Sequence, residues 1–167
     1  MIKIAVCTAL FASLLGGDVL ADCPSQITKK TPPHFVLNAG EVLDKRTGLI
    51  WNRCSVGMHW QKGKGCIGER QFLDLAAAKQ AAQKAGSGWR LPSIKELAGL
   101  MDNKCTTPAI DSTVFPDIGP PDAEESPYWT STSAGMGMIY YVDFMMGLID
   151  AHTPGFQQAV RLVRSEH

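Results

Sequence analysis

Short apolar runs and polar breaks organise residues 35–52. Val42-Leu43 and Leu49-Ile50-Trp51 flank Asp44-Lys45-Arg46-Thr47-Gly48. That pattern predicts a hairpin with Gly48 at a positive φ. Just upstream, Phe35-Val36-Leu37 reads as a short strand closing an extended lead-in over residues 22–40. From Phe72 to Ala85 the period becomes helical. Leu73, Ala76, Ala77 and Ala81 are expected on the packed face, and Gly86 stops the run. So many alanines predict a close approach to another element. Pro92 holds Leu91 extended, and Ser93 and Glu96 stand at capping-box spacing. A second helix should therefore follow, with Ile94, Leu97, Leu100 and Met101 on one face. Residues 102–126 hold Pro108, Pro116, Pro120 and Pro121 and show no period, so they read as a long loop. Four strand-like runs end the chain: Tyr128–Thr132, Ile139–Phe144, Leu148–His152 and Ala159–Arg164, the last with alternating polarity. Two helices followed by antiparallel strands predict an α+β domain.

The N-terminus changes the picture of where this domain works. Lys3 precedes an apolar run from Ile4 to Leu15, which Gly16 and Gly17 break before Val19-Leu20-Ala21. This is the pattern of a secretory signal over residues 1–21, cleaved before Asp22. The run is too short for a spanning helix, which needs about 20 apolar residues. The mature chain then carries no expected membrane span, and its length of about 146 residues suits one domain. Sixteen basic residues face sixteen acidic ones. That balance argues against bulk nucleic-acid binding.

Cysteine usage agrees with export. Cys7 leaves with the signal, and Cys23, Cys54, Cys66 and Cys105 remain. Cys54 and Cys66 bracket a short loop and are the favoured pair, which leaves Cys23–Cys105. By chain entropy the two bridges contribute about 3 and 4.5 kcal/mol. A zinc site is disfavoured, because there is no CxxC and His34, His59, His152 and His167 lie far apart.

Several of these segments together resemble one family. They are Asp-Lys-Arg-Thr-Gly-Leu-Ile-Trp at 44–51 with Arg53–Gly57, and Trp-Arg-Leu-Pro-Ser-Ile-Lys-Glu-Leu at 89–97. Then come Phe115-Pro116, Tyr128–Ser131, Val142-Asp143-Phe144 with Gly147, and Val160–Arg164. In this order they resemble the Lcl C-terminal-like domain family, named after the end domain of the Legionella collagen-like adhesin. The resemblance covers residues 42–164, so the domain is placed at 41–167. It implies an exported bacterial protein of C-type-lectin-like fold, with two helices, a small twisted antiparallel sheet and long ligand-carrying loops. It implies a periplasmic, secreted or cell-surface recognition module rather than an enzyme. The ligand would be a glycan, sulfated in some members, or an envelope partner. The alternative is a structural component of a pilus or secretion assembly. The segment at 89–97 also resembles a motif of formylglycine-generating enzymes. Those need a C-terminal redox cysteine pair, and here no cysteine follows Cys105.

Candidate ligand-binding residues follow from chemistry. His59, Trp60, Lys62 and Lys64 place aromatic rings beside cations on the loop between Cys54 and Cys66. A ring can stack on a sugar while ammonium groups meet sulfate. Tyr141 and Asp143 join them from the predicted sheet. No cofactor is expected except calcium. Its candidate oxygen donors are Asp143, Asp150, Asp122, Glu124 and Glu125, without EF-hand spacing. Arg90 is expected to pair with Asp44 or Asp143, Trp89 to pack in the core, and Met136, Met138, Met145 and Met146 to fill gaps there. Nucleophilic catalysis lacks support, with no Gly-x-Ser-x-Gly and no unpaired mature cysteine.

Overall fold

The computed structural model describes residues 32–102, 107–119 and 125–166. The signal segment, most of the lead-in, Cys23, Cys105, Asp122, Glu124 and His167 lie outside the described residues. Strands β1 (Phe35–Asn38), β2 (Glu41–Asp44) and β3 (Leu49–Asn52) pair antiparallel. Gly48 ends the expected turn at φ 67°. The expected loop between Cys54 and Cys66 instead contains paired strands. β4 (Met58–Gln61) and β5 (Gly65–Gly68) form a hairpin in which Trp60 opposes Cys66. The Cys54–Cys66 bridge joins that hairpin to the residues just after β3, with Cα atoms 5.5 Å apart.

Helix α1 (Leu75–Ala85) starts later than its apolar period suggests. Leu73 is held extended, because its N–H and C=O both bond Gln158. Asp74 then caps the helix, its Oδ1 accepting from the Ala77 N–H at 2.8 Å. This start rotates the packed face to Leu75, Ala78 and Ala82 instead of Leu73, Ala76, Ala77 and Ala81. Helix α2 (Ile94–Ala98) is short, and its capping box forms as expected. Leu97 and Leu100 are buried, and Ile94 and Met101 pack against the same cluster.

Among the described residues the expected single sheet is divided into three. Strands β6 (Pro127–Gly135), β7 (Met138–Asp143) and β8 (Leu148–His152) form a meander, and β9 (Val163–Ser165) extends the first sheet to the order β1-β2-β3-β9. Residues 158–163 run between the sheets. Ala159 bonds Pro127 and Trp129, the Val160 carbonyl accepts from Val56, and the Leu162 carbonyl accepts from Asn52. With partners on both sides, every residue from 158 to 163 is buried. The polar alternation at Ala159–Arg164 therefore does not report an exposed face. Of the four methionines expected to fill gaps only Met145 is buried; Met136 is 93% exposed and Met146 is exposed as well.

Among the described residues two apolar clusters result. One gathers Val42, Trp51, Leu97, Phe115, Tyr128, Phe144 and Val163. The other gathers Leu75, Ala78, Ala82, Leu91, Trp129, Val160 and Leu162, with Trp89 only partly buried against it. Between them sits a buried polar knot. Arg161 is fully buried and donates to the carbonyls of Asn52 and Arg53, to Ser55 Oγ and to Asp117 Oδ1 at 2.5 Å. Asp117 Oδ2 accepts from the Ser55 N–H. Arg70 reaches the same knot through the carbonyls of Asp117 and Ile118 and through Ser126 Oγ. Such a charge tolerates burial only when paired and bonded, as it is here.

Candidate functional site

A groove of about 850 Å³ lies where the ends of β1 and β3, the disulfide, the β4–β5 hairpin and the last turn of α1 meet. Its walls carry Asn38, Glu41, Asn52, Val56, His59, Trp60, Gln71, Lys84 and Leu162. Each wall is held by a local device. The bridge from Cys54 anchors β5 opposite Trp60. Gly57 is at φ 93°, and a Cβ there would come within 2.3 Å of the Glu69 carbonyl oxygen. Only glycine lets the hairpin base approach residues 69–71 so closely. Gly40 serves the other side, since a Cβ on it would meet Trp60 Cβ at 2.8 Å.

Trp60 is half-buried and belongs to neither apolar cluster. The Arg53 guanidinium stacks on its ring at 3.8 Å from the centroid. Arg53 is itself fixed by the carbonyls of Val114, Ala39 and Thr113, at 2.9, 2.9 and 3.0 Å. The indole is thus held rigidly at the groove by a cation that the backbone orients. Glu41 is paired with Arg164 at 3.0 Å. Asn38, Asn52 and Gln71 also line the groove, and their side chains carry amide donors and acceptors.

The expected site residues separate into three places. His59 and Trp60 line the groove. Lys62 and Lys64 sit on the exposed turn between β4 and β5 and do not line it. Tyr141 lies on β7 opposite Trp129 and Asp150 and packs against the second cluster. Burial pushes its phenol up, with the charges of Asp150, Asp143 and Glu125 acting the same way. Asp143 is buried, and its carboxylate accepts from the N–H groups of Ser126, Met145 and Met146. That carboxylate shapes the β7–β8 turn. Among the described residues no three acids, histidines or cysteines gather to hold a metal ion.

The arginine at 90 takes neither expected partner. It forms a two-pronged ion pair with Glu96, at 2.7 and 2.8 Å, while Asp44 is claimed by Arg46 and Asp143 by its turn. The bonds from Arg90 outweigh the desolvation of Glu96 and, with the Ser93 N–H, hold its carboxyl at about 2. Asn38, Asn52, Gln71 and Lys84 were not legible as site residues. They come from four distant stretches, and no local signal marks them as neighbours.

A family model described as the Lcl C-terminal domain matches residues 40–164. The chain belongs to that family. No curated protein matches it. Among the described residues no helix is long and apolar enough to cross a membrane.

Proposed function

We propose that this member of the Lcl C-terminal domain family is an exported, non-catalytic recognition domain that binds a glycan in the Trp60 groove. One observation carries the reading: a rigidly backed indole shares a groove of about 850 Å³ with three side-chain amides. An aromatic face accepts the C–H face of a sugar ring, while amides bond its hydroxyls with directional donors and acceptors. The volume lies within the range of small-ligand sites. Export is supported by the N-terminal pattern of the sequence and by the Cys54–Cys66 bridge, since disulfides persist in oxidising compartments. A C-type-lectin-like ancestry accords with the two helices, small antiparallel sheets and long loops. Lys84 in the groove, with Lys62 and Lys64 on the nearby turn, provides for sulfate on the sugar.

The test is a glycan array followed by titration of the full chain with the best binder, read by tryptophan fluorescence. Trp60→Ala should weaken binding at least about tenfold, the order expected for a lost aromatic contact. Lys62→Ala/Lys64→Ala should reduce only the salt-sensitive part for sulfated chains. Undiminished affinity in Trp60→Ala refutes the groove as the glycan site.

One observation favours a second reading, an assembly component. Among the described residues strand β1 lies at the edge of its sheet and carries exposed Val36 and Leu37. An open apolar edge is a place for strand pairing with another chain. Co-purification of one envelope partner that Val36→Lys abolishes would favour it over glycan binding.

A further inference from the structure

Helix α1 separates the groove from a second, smaller pocket. Ala81, Lys84 and Ala85 face the groove, whereas Lys79, Ala82 and Gln83 line a pocket of about 320 Å³. At 3.6 residues per turn those two sets fall on roughly opposite sides of the helix. Trp89, Leu91 and Ser131 complete the pocket together with Arg90.

The floor is apolar: Ala82 and Leu91 are each 5% exposed. Trp89 is partly buried, and the Arg164 guanidinium braces its ring at 5.1 Å. Arg90 is neutralised by Glu96. The side chains of Lys79, Gln83 and Trp89 have no ion pair or hydrogen bond among the described residues. Ser131 Oγ donates to the Pro92 carbonyl and keeps its acceptor capacity. The pocket therefore joins an aliphatic floor to one uncompensated cation and a few polar atoms. A sugar ring lying on Ala82 and Leu91 would leave hydroxyls without partners, which is costly. An alkyl or aryl group would not.

We propose that this pocket binds an α-carboxylate bearing an apolar side chain, the chemistry shared by a peptide's C-terminal residue and a free apolar amino acid. Lys79 meets the carboxylate. Ala82, Leu91 and the Trp89 ring enclose the side chain. Gln83 and Ser131 bond the adjacent α-nitrogen, an amide N–H in a peptide and an ammonium in a free amino acid. The volume, near the lower limit for ligand sites, holds one such residue and little more.

Titration of the full chain with N-acetyl-leucine, N-acetyl-leucinamide and free leucine, followed by the indole N–H resonances, tests this. The acid should shift the Trp89 signal saturably and leave the Trp60 signal in place. The neutral amide should bind about tenfold more weakly, the scale of one charge-assisted contact. Lys79→Ala, on an exposed helical position, should erase that preference while keeping the melting temperature. Tighter binding of N-acetyl-leucine than of leucine assigns a chain terminus; the reverse order assigns the free amino acid. Equal binding of acid and amide, no saturable shift at Trp89, or an unchanged preference in Lys79→Ala overturns the proposal. A Trp60→Ala variant should bind N-acetyl-leucine normally, which separates this pocket from the glycan groove.

Discussion

Replacing Asp117 by Asn should remove a large share of this domain's stability. Arg161 is fully buried, its side chain and that of Asp117 0% and 1% exposed. Asp117 Oδ1 lies 2.5 Å from Arg161, and Oδ2 takes the Ser55 N–H. Asn keeps the size and some bonds but deletes the only carboxylate that contacts the guanidinium among the described residues. The carbonyls of Asn52 and Arg53 still accept from it, yet they carry no charge. Stranding one member of a buried pair costs about 3–5 kcal/mol. A domain of this size has roughly 5–15 kcal/mol in total. Urea denaturation, with near-UV circular dichroism to confirm native packing, measures the loss as a lower midpoint at unchanged slope. Burial pushes the Asp117 carboxyl up, but the Arg161 charge and the Ser55 bonds prevail and hold it below its ordinary value of 3.8. A depressed folded value means the pair's contribution is complete above about pH 3.8 and fades only as pH falls through the folded value. Wild type and Asp117→Asn should therefore differ most near neutrality and converge in acid. A difference under about 1 kcal/mol at pH 7 would refute the claim that the buried Arg161 charge depends on this carboxylate.

Three further outcomes are expected. Glu96→Gln should cost about 1 kcal/mol at neutral pH, discounted for the partial exposure of Arg90. With its carboxyl at about 2 instead of 4.5, the wild type should lose that contribution between those values as pH falls, and a pH series of melting temperatures should show this loss absent from the variant. Cys54→Ala/Cys66→Ala opens a loop with a sequence separation of 12 and should cost about 3 kcal/mol. Hydrogen exchange should quicken at residues 58–68 before the rest of the fold, and uniform protection there would argue against a tether role. Gly57→Ala forces a Cβ against the Glu69 carbonyl at a positive φ, so a penalty of at least about 1–2 kcal/mol should appear in thermal melts. A neutral result would mean that the hairpin base shifts freely.

What the sequence determined by itself was local and periodic. The turn before Gly48, the capping box at Ser93 and Glu96, the stop at Gly86 and the Cys54–Cys66 bridge all depend on residues close in the chain, and each forms. The ordered run of motifs was likewise enough to identify the family, which the match over residues 40–164 shows. Tertiary structure decided what depends on distant partners. Gln158 captured Leu73 and so rotated the packed face of α1. Two flanking sheets buried Ala159–Val163, turning Arg161 from one beat of a polar alternation into the centre of a buried knot. Arg90 is the exception: its partner Glu96 stands only six residues away, but its spacing from Ser93 marks that carboxylate only as half of the capping box, and the acids expected to pair with Arg90 are distant ones. The groove shows the same division. Trp60 and His59 stood out as residue types, but Asn38, Asn52 and Gln71 join them in the groove only through backbone pairing between separate stretches that no local pattern encodes. Caps and turns are satisfied within a few residues and can be read along the chain. Buried charges and binding surfaces are satisfied across space, so their partners exist only once the chain has closed on itself.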